Sequence, residues 1–508
     1  MFKNQVNSLE VNINDTLKNN DQYKTFLIIS SCLGYQFDLK VLANATGLSL
    51  IETAKKIEEI SFNTGIFESL PNLNNKIKFR NRATLNALIK IFALNNDLEN
   101  IPLTQRTCCF TAAKALKSTQ NDFALESERI FNLFEKSGYN YIEQIFYSGL
   151  DLIGNLCVLN QFEKANMIAN KCQNYLKNYN GAKYNKLLND ISIEKYFIQF
   201  EKVFYTGLND NESITNLLDS WLDLDDYKTK LIYPAMRTLY NSREYPKLIE
   251  FIKDLKNEKE LPEWLVYDIE HYSALIEIYY NQNKELGKKM LLKCINKLKD
   301  EKDNDHLAVS SRIFTSFSNN FPKEKITESL IPKSIEIKEM LSDKPGLARS
   351  YGSLTRMYFE KDPTSTKVME SCNNWLSLNR VLNDILGTIM SKNFMGKIYF
   401  NLYKLNNSNK NNLDKSKNFY VENIKYIKNK IDDGSKIQIF TSFADLMEIA
   451  KYEKDEKSYA NYSRELFNLI KNFGKIENKF FKNIFENAFI SSFKKEHISK
   501  NEINEILG

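Results

Sequence analysis

The sequence predicts an all-α protein, and three observations carry that reading. Only 16 Gly and 9 Pro occur in 508 residues, too little punctuation for many short strands and enough for long helices with short connections. Segments resembling one another recur about every 41 residues over the C-terminal two thirds, the mark of a helical repeat array. Hydrophobic residues at 43% and charged residues at 26% are ordinary for a globular chain, and no stretch approaches the roughly 18 apolar residues of a transmembrane helix. A chain of this length holds two to four domains or one array, and either buries a large core.

The lead, 1–20, is polar. The run Thr25-Phe26-Leu27-Ile28-Ile29-Ser30-Ser31-Cys32-Leu33-Gly34 reads as a buried helix stopped by Gly34, with Asp38 placed to cap the next helix. Leu39 to Asn44 forms that short helix, broken at Thr46-Gly47-Leu48; Ser49 and Glu52 then make a capping box opening a helix to about Ile60. Gly65-Ile66-Phe67-Glu68 and Lys76-Ile77-Lys78-Phe79-Arg80 are strand-like runs around a hairpin tip, Pro71 to Asn75. Helix, glycine turn, helix and hairpin spell a winged helix over 21–95.

A winged helix that binds DNA presents its second helix to the bases. Here that helix carries Glu52, Glu58 and Glu59 against Lys55 and Lys56, a poor match for a phosphate groove. An internal packing module is therefore the favoured role. Lys76, Lys78, Arg80 and Arg82 are the candidate nucleic-acid contacts of the alternative, and otherwise form a solvated edge that discourages strand pairing.

Leu33-Gly34 with Phe37-Asp38, Leu42-Ala43, Gly47-Leu48, Gly65 to Glu68, Phe79-Arg80, Leu85 and Ala87-Leu88 together resemble the winged-helix segment of STAND-type signal-transduction NTPases, related to the MalT and AfsR activators. The continuation through Gln105-Arg106 and Ala112 to Leu116 into helical repeats is also similar. The resemblance implies a regulator whose winged helix joins an ATPase to a tetratricopeptide-like sensor. Two departures stand out. Asn81 occupies the place where the family usually has histidine, and no GxxxxGK[ST] phosphate loop occurs, so the resemblance covers the architecture without its ATPase.

Residues 96–140 read as connecting helices, 141–474 as the repeat array and 475–508 as a capping region. Leu354-Thr355-Arg356-Met357-Tyr358-Phe359 returns 41 residues later as Met395-Gly396-Lys397-Ile398-Tyr399-Phe400. It returns again as Phe443-Ala444-Asp445-Leu446-Met447 after an interval lengthened by the polar insert Asn406 to Asn412. Partner helices are expected at Thr366 to Leu382, Asp414 to Ile427 and Glu456 to Ile470, with Gly396 the small residue of a close helix contact. Seven or eight such pairs form a right-handed α-solenoid of tetratricopeptide-like repeats, whose groove is the default binding surface. Helical spacing places Asn393 and Lys397 on one face and Arg349 and Arg356 at comparable positions one repeat earlier. These four are the candidate partner-binding residues, suited to a carboxylate of a protein or peptide ligand.

Chemistry is sparse. His271, His306 and His497 lack metal-site spacing, so no zinc and no cofactor are expected. Cys108-Cys109 reads as a buried pair, and Asp223, Asp225 and Asp226 as a polar turn. Seven cysteines without CxxC spacing fit a reducing compartment, and the start, Met1 to Ser8, has no apolar run after Lys3, so a cytoplasmic location is expected. The net charge of +6 arises from 70 basic and 64 acidic residues spread along the chain, too diluted to require nucleic acid. The sequence thus reads as a non-enzymatic scaffold or sensor binding a protein or peptide, the alternative being a DNA-binding regulator with a peptide-sensing array.

Overall fold

The computed structural model describes residues 21–68, 76–97, 100–119, 123–206, 229–257, 261–407, 409–427 and 433–473. The lead 1–20, the hairpin tip Pro71 to Asn75, the carboxylates Asp223, Asp225 and Asp226, His497 and the region 475–508 lie outside them. Helix dominates: the described residues hold twenty-one α-helices and two three-residue strands. The chain forms two compact units, 1–157 with 161–198, and 158–160 with 199–508.

In the first unit, α1 (Asp21–Leu33) leads through β1 (Gln36–Asp38) to α2 (Leu39–Thr46) and α3 (Leu50–Thr64), then β2 (Lys76–Lys78) and α4 (Arg82–Ile91). Local chemistry sets each boundary. Asp38 accepts from Lys40 N at 2.7 Å and caps α2, whose end is Gly47 at φ +71°; glycine alone takes that left-handed turn without strain. Ser49 and Glu52 close the expected capping box on α3. Asn81 caps α4 by accepting from Thr84 N at 2.8 Å. β1 and β2 pair antiparallel with Phe37 opposite Ile77, and Phe67 bridges Phe79. Phe79 is buried with its ring 6.0 Å from Phe37 and 4.9 Å from Phe67, so the short sheet and the helices share one aromatic core.

The stretch expected to connect supplies α5 (Leu103–Thr119) and α6 (Phe123–Ser137), and α5 packs on α1 and α2. Next come α7 (Ile142–Val158), α8 (Phe162–Leu176) and α9 (Tyr184–Thr206). Gly149 in α7 lies where a side chain would collide with Cys172 of α8 and meet the Phe131 ring at 3.1 Å.

The second unit repeats one device. Among the described residues six helix pairs follow: α10 (Thr229–Asn241) with α11 (Tyr245–Asn257), α12 (Glu263–Tyr279) with α13 (Lys284–Leu298), α14 (Asn304–Asn320) with α15 (Thr327–Met340), α16 (Lys344–Lys361) with α17 (Thr366–Val381), α18 (Ile385–Leu405) with α19 (Lys410–Ile427), and α20 (Asp433–Tyr452) with α21 (Glu456–Phe473). Each helix packs on the next, and α12, α14, α16 and α20 also pack on the first helix of the preceding pair. The repeat is visible in the turns. Ser342 and Asn383 sit at φ +56° and +52°, and the following Asp343 and Asp384 donate their N–H to the carbonyls of Lys338 and Asn379 at 2.9 Å, a Schellman closure. Their carboxylates then cap α16 and α18 through Gly346 N at 2.9 Å and Gly387 N at 2.8 Å. Lys454 and Asp455 build the same turn before α21.

Between the helices of a pair, glycine meets an aromatic ring. A Cβ on Gly396 would lie 2.5 Å from Tyr420, and one on Gly352 would lie 3.0 Å from Trp375. Gly396 is thus the close-packing position its sequence context predicts. Tyr358 and Tyr399 are half-buried against the cluster of Ala348, Val368, Cys372, Trp375 and Ile398. α19 starts at Lys410, within the polar insert, because a run of Asn and Lys costs a solvent-facing helix turn little once packing fixes the rest.

Candidate functional site

Arginine and tyrosine side chains from successive first helices converge in the second unit. Tyr233 and Arg237 lie on α10, Asp268 and His271 on α12, Arg312 on α14 and Arg349 on α16; Glu201, Phe204 and Tyr205 come from the end of α9. Arg237 and Arg312 flank the Tyr233 ring, their guanidinium carbons 5.5 and 4.1 Å from its centroid, and Arg237 also covers Phe204 at 4.0 Å. These are cation–π contacts at close range.

Both arginines are neutralised on the spot. Arg237 pairs with Glu201, and both are almost wholly buried. Arg312 grips Asp268 with two nitrogens, one 3.2 Å from Oδ1, the fork geometry guanidinium favours. Burial pushes the Asp268 carboxyl up, but Arg312 and then His271 overcome it and hold it below the usual carboxylate range. Burial likewise pushes His271 down against the pull of Asp268, and its Nε2 meets Ser316 Oγ at 2.8 Å.

Arg349 differs. It is solvent-accessible while facing Tyr205, Tyr233, Asp343 and Arg237, and among the described residues no acid lies within ion-pair distance. Arg356, two helical turns on, is half-buried with its guanidinium carbon 5.9 Å from both the Trp375 and Phe394 ring centroids. Its one polar contact among the described residues is Asn319 Oδ1 at 3.4 Å.

The other two sequence candidates fare differently. Lys397 stands 3.8 Å from Asp445; burial raises that carboxyl to about 6, against Lys397 and Tyr420. Asn393 is corrected: it is buried, its Oδ1 accepting from Asn423 Nδ2 at 2.9 Å and Ser442 Oγ at 2.8 Å, its Nδ2 donating to Gln438 Oε1 at 2.9 Å. An amide so fully used holds helices together and reaches no partner.

Beneath Arg312 and Arg349 lies Lys338 of α15, 2% exposed, its ammonium donating to Thr315 Oγ1 at 2.7 Å and Ser350 Oγ at 2.8 Å. Ser334 completes the cage at 3.0 and 3.1 Å from those hydroxyls. Burial first, and then the Arg349 and Arg312 charges against the opposing Asp343, push the lysine down to about 7.

Arg237, Arg312 and Lys338 escape sequence reasoning. The available signal was an ionisable residue in a buried register: Arg237 sits inside Leu231-Ile232 through Leu239, all buried except half-buried Tyr233, and Lys338 directly follows buried Ile337.

At the N-terminal module Lys76, Arg80 and Arg82 are exposed, whereas Lys78 pairs with Glu68 at 3.2 Å and shares the Tyr35 ring with Arg82, each 5.6 Å away. On α3, Ile51 and Phe62 are 70% and 92% exposed and share a face with Lys55 and Glu58. Cys108 and Cys109 are buried, with Cys109 Sγ 3.6 Å from Cys32 Sγ. Glu301, Asp303 and His306 gather within 4.8 Å, a grouping that the α14 cap explains: Asp303 accepts from His306 N at 3.1 Å and meets its Nδ1 at 2.5 Å. No described helix is long and apolar enough to cross a membrane. Compared with known protein families and with curated proteins, the chain matches none.

Proposed function

We propose that this chain is a non-enzymatic scaffold or sensor subunit of a bacterial regulatory or defence system, binding a protein or peptide along a tetratricopeptide-like α-solenoid. The observation that carries the reading is Arg349: an open guanidinium beside Tyr205 and Tyr233, in a row whose other arginines are matched by buried acids. A row that matches Arg237 and Arg312 with acids and leaves Arg349 accessible beside phenol rings has a place for an external anion. The first helices supply that surface, as in repeat arrays generally.

In this reading residues 21–95 are a winged helix, an assignment supported by the order helix, strand, helix, helix, strand, helix and by the β1–β2 pairing. Exposed Ile51 and Phe62 on its second helix favour protein contact over DNA. No phosphate loop occurs in these 508 residues, so any ATPase that the STAND resemblance implies lies outside them.

Purification of the tagged chain from its own host, with nuclease treatment, tests this. The expected result is a stoichiometric protein that survives nuclease and is lost on Arg349→Glu; a partner retained by that variant overturns the site. The second reading, a DNA-binding regulator, rests on exposed Lys76, Arg80 and Arg82. It requires duplex affinity that falls steeply with salt, and no shift of genomic fragments at low salt removes it.

A further inference from the structure

We infer that Cys32 and Cys109 form a dithiol that a hydroperoxide converts to a disulfide, tying α1 to α5 and so fixing the module 21–95 to the helix that follows it. Three observations in the first unit lead there, none of them shared with the binding surface of the second. The two sulfurs belong to residues 77 apart in sequence and stand 3.6 Å from each other. A bond of about 2.05 Å then needs them to close by about 1.5 Å, a shift shared between two helices already packed together. The pair is also reachable. A cleft of about 480 Å³ is lined by both cysteines together with Arg129, Asn132 and Lys136. Cys109 is fully buried while Cys32 is 8% exposed, so a small oxidant in the cleft meets the pair at Cys32.

The third observation divides the roles. A hydrogen bond from Cys32, and with it the Lys136 charge, holds the Cys109 thiol below its ordinary value against burial, while the same bond and burial push Cys32 well above it. The proton of the pair therefore rests on Cys32 and the anion on Cys109. As the Cys32 sulfur attacks one peroxide oxygen, the O–O bond breaks and Cys109 takes the Cys32 proton, passing it to the departing oxygen. Cys32 is then a sulfenic acid, and water or an alcohol has left. The Cys109 thiolate attacks the Cys32 sulfur, the S–S bond forms, and the S–O bond breaks to release hydroxide, which solvent protonates. Each sulfur gives one electron and the peroxide takes both. Cys108 follows α5 round by about 100° from Cys109, and burial raises its thiol to about 11, as it raises Cys294 to about 11 and Cys172 and Cys372 to about 12. The other thiols lack the anion that starts the reaction.

Peptide mapping of the full chain under non-reducing conditions, after a small excess of hydrogen peroxide, tests this. The expected product is one linked peptide joining Cys32 to Cys109, two of the seven thiols lost, and both restored by dithiothreitol. Cys109→Ser, checked by circular dichroism, should stop at the Cys32 sulfenic acid and be trapped there by dimedone, and Cys32→Ser should lose no thiol at the same dose. Lys136→Gln, on a half-buried side chain at the cleft, should slow the cross-link severalfold. A wild type that keeps all its thiols, a link through Cys108 in place of Cys32, or a Cys32→Ser chain oxidised as fast as the wild type overturns the inference.

Discussion

Lys338 shows what a single buried charge does to a helical array. Its ordinary value of 10.5 falls to about 7 in the folded chain. Between those values the unfolded chain holds a proton that the folded chain has released, so stability rises with pH by roughly 1.4 kcal/mol per unit. Below about 7 both states are protonated and the slope vanishes. Urea unfolding from pH 7 to 9 should show this rise in the wild type. Lys338→Met should flatten it and gain stability at pH 7, because Thr315, Ser334 and Ser350 still bond one another; a slope unchanged in the variant refutes the assignment. The Asp268–Arg312 pair behaves oppositely. Removing one partner strands a buried charge, so Asp268→Ala should cost about 3–5 kcal/mol, while Asp268→Leu with Arg312→Met should recover most of it. At this scale the sequence was least legible. Lys338 occurs in Ile335-Glu336-Ile337-Lys338-Glu339 and looks like any solvated lysine; only Thr315 and Ser350 of two other helices, brought together by the fold, make it interior. Asn393 failed the same way: a polar residue four before a lysine fits a groove face by periodicity, yet α19 and α20 converge on it.

Elements were more legible, because their signals are local. Ser49 with Glu52, Asp38 and the glycine stops are chemistry within one turn of the chain, and each fell where the sequence placed it. Helix ends drifted where packing takes over: α3 continues past Ile60 to Thr64 and closes at Gly65, φ +64°. The repeat was legible for a related reason. Asp343 and Asp384, the caps of α16 and α18, and Tyr358 and Tyr399 stand at the same interval of 41 residues, so turn chemistry and core chemistry keep one period. Register across a pair is what spacing alone leaves open. Aligned by that period Gly396 faces Thr355, but its counterpart in ring contact is Gly352, packed on Trp375 as Gly396 is on Tyr420. Gly396→Ala must displace a fully buried ring, an overpacking cost of about 1–3 kcal/mol, despite the better helix propensity of alanine. Adding Tyr420→Leu should return part of it. Thermal unfolding of the two variants decides: an alanine that stabilises, as propensity alone demands, shows that the ring yields freely.

Across the second unit, each helix pair draws its stability from its neighbours, since the first helices stack on one another and the second helices close the gaps. Damage in such an array spreads only as far as nearest-neighbour contacts carry it. Gly396→Ala loosens the α18–α19 contact, and the next elements in line are α17 and α20. Native-state hydrogen exchange reads this directly, because amides that open together report one cooperative block. The amides of α17 to α20 should lose protection by the same free energy that the variant loses globally or less, while those of α10 to α13, several pairs away, keep theirs under conditions where the array is folded. The polar ties favour this partition: Asn393, Asn423, Ser442 and Gln438 lock α18, α19 and α20 into one block, whereas Lys338 and its hydroxyl cage lock α14, α15 and α16 into another. Equal loss of protection from α10 through α20 would mean that the unit opens as a whole, and the two polar clusters would then be ties within one cooperative core. Loss confined to α17 to α20 would leave Arg349 in a block that stays closed, with Arg356, seated between the Trp375 and Phe394 rings of α17 and α18, on the boundary with the block that opens.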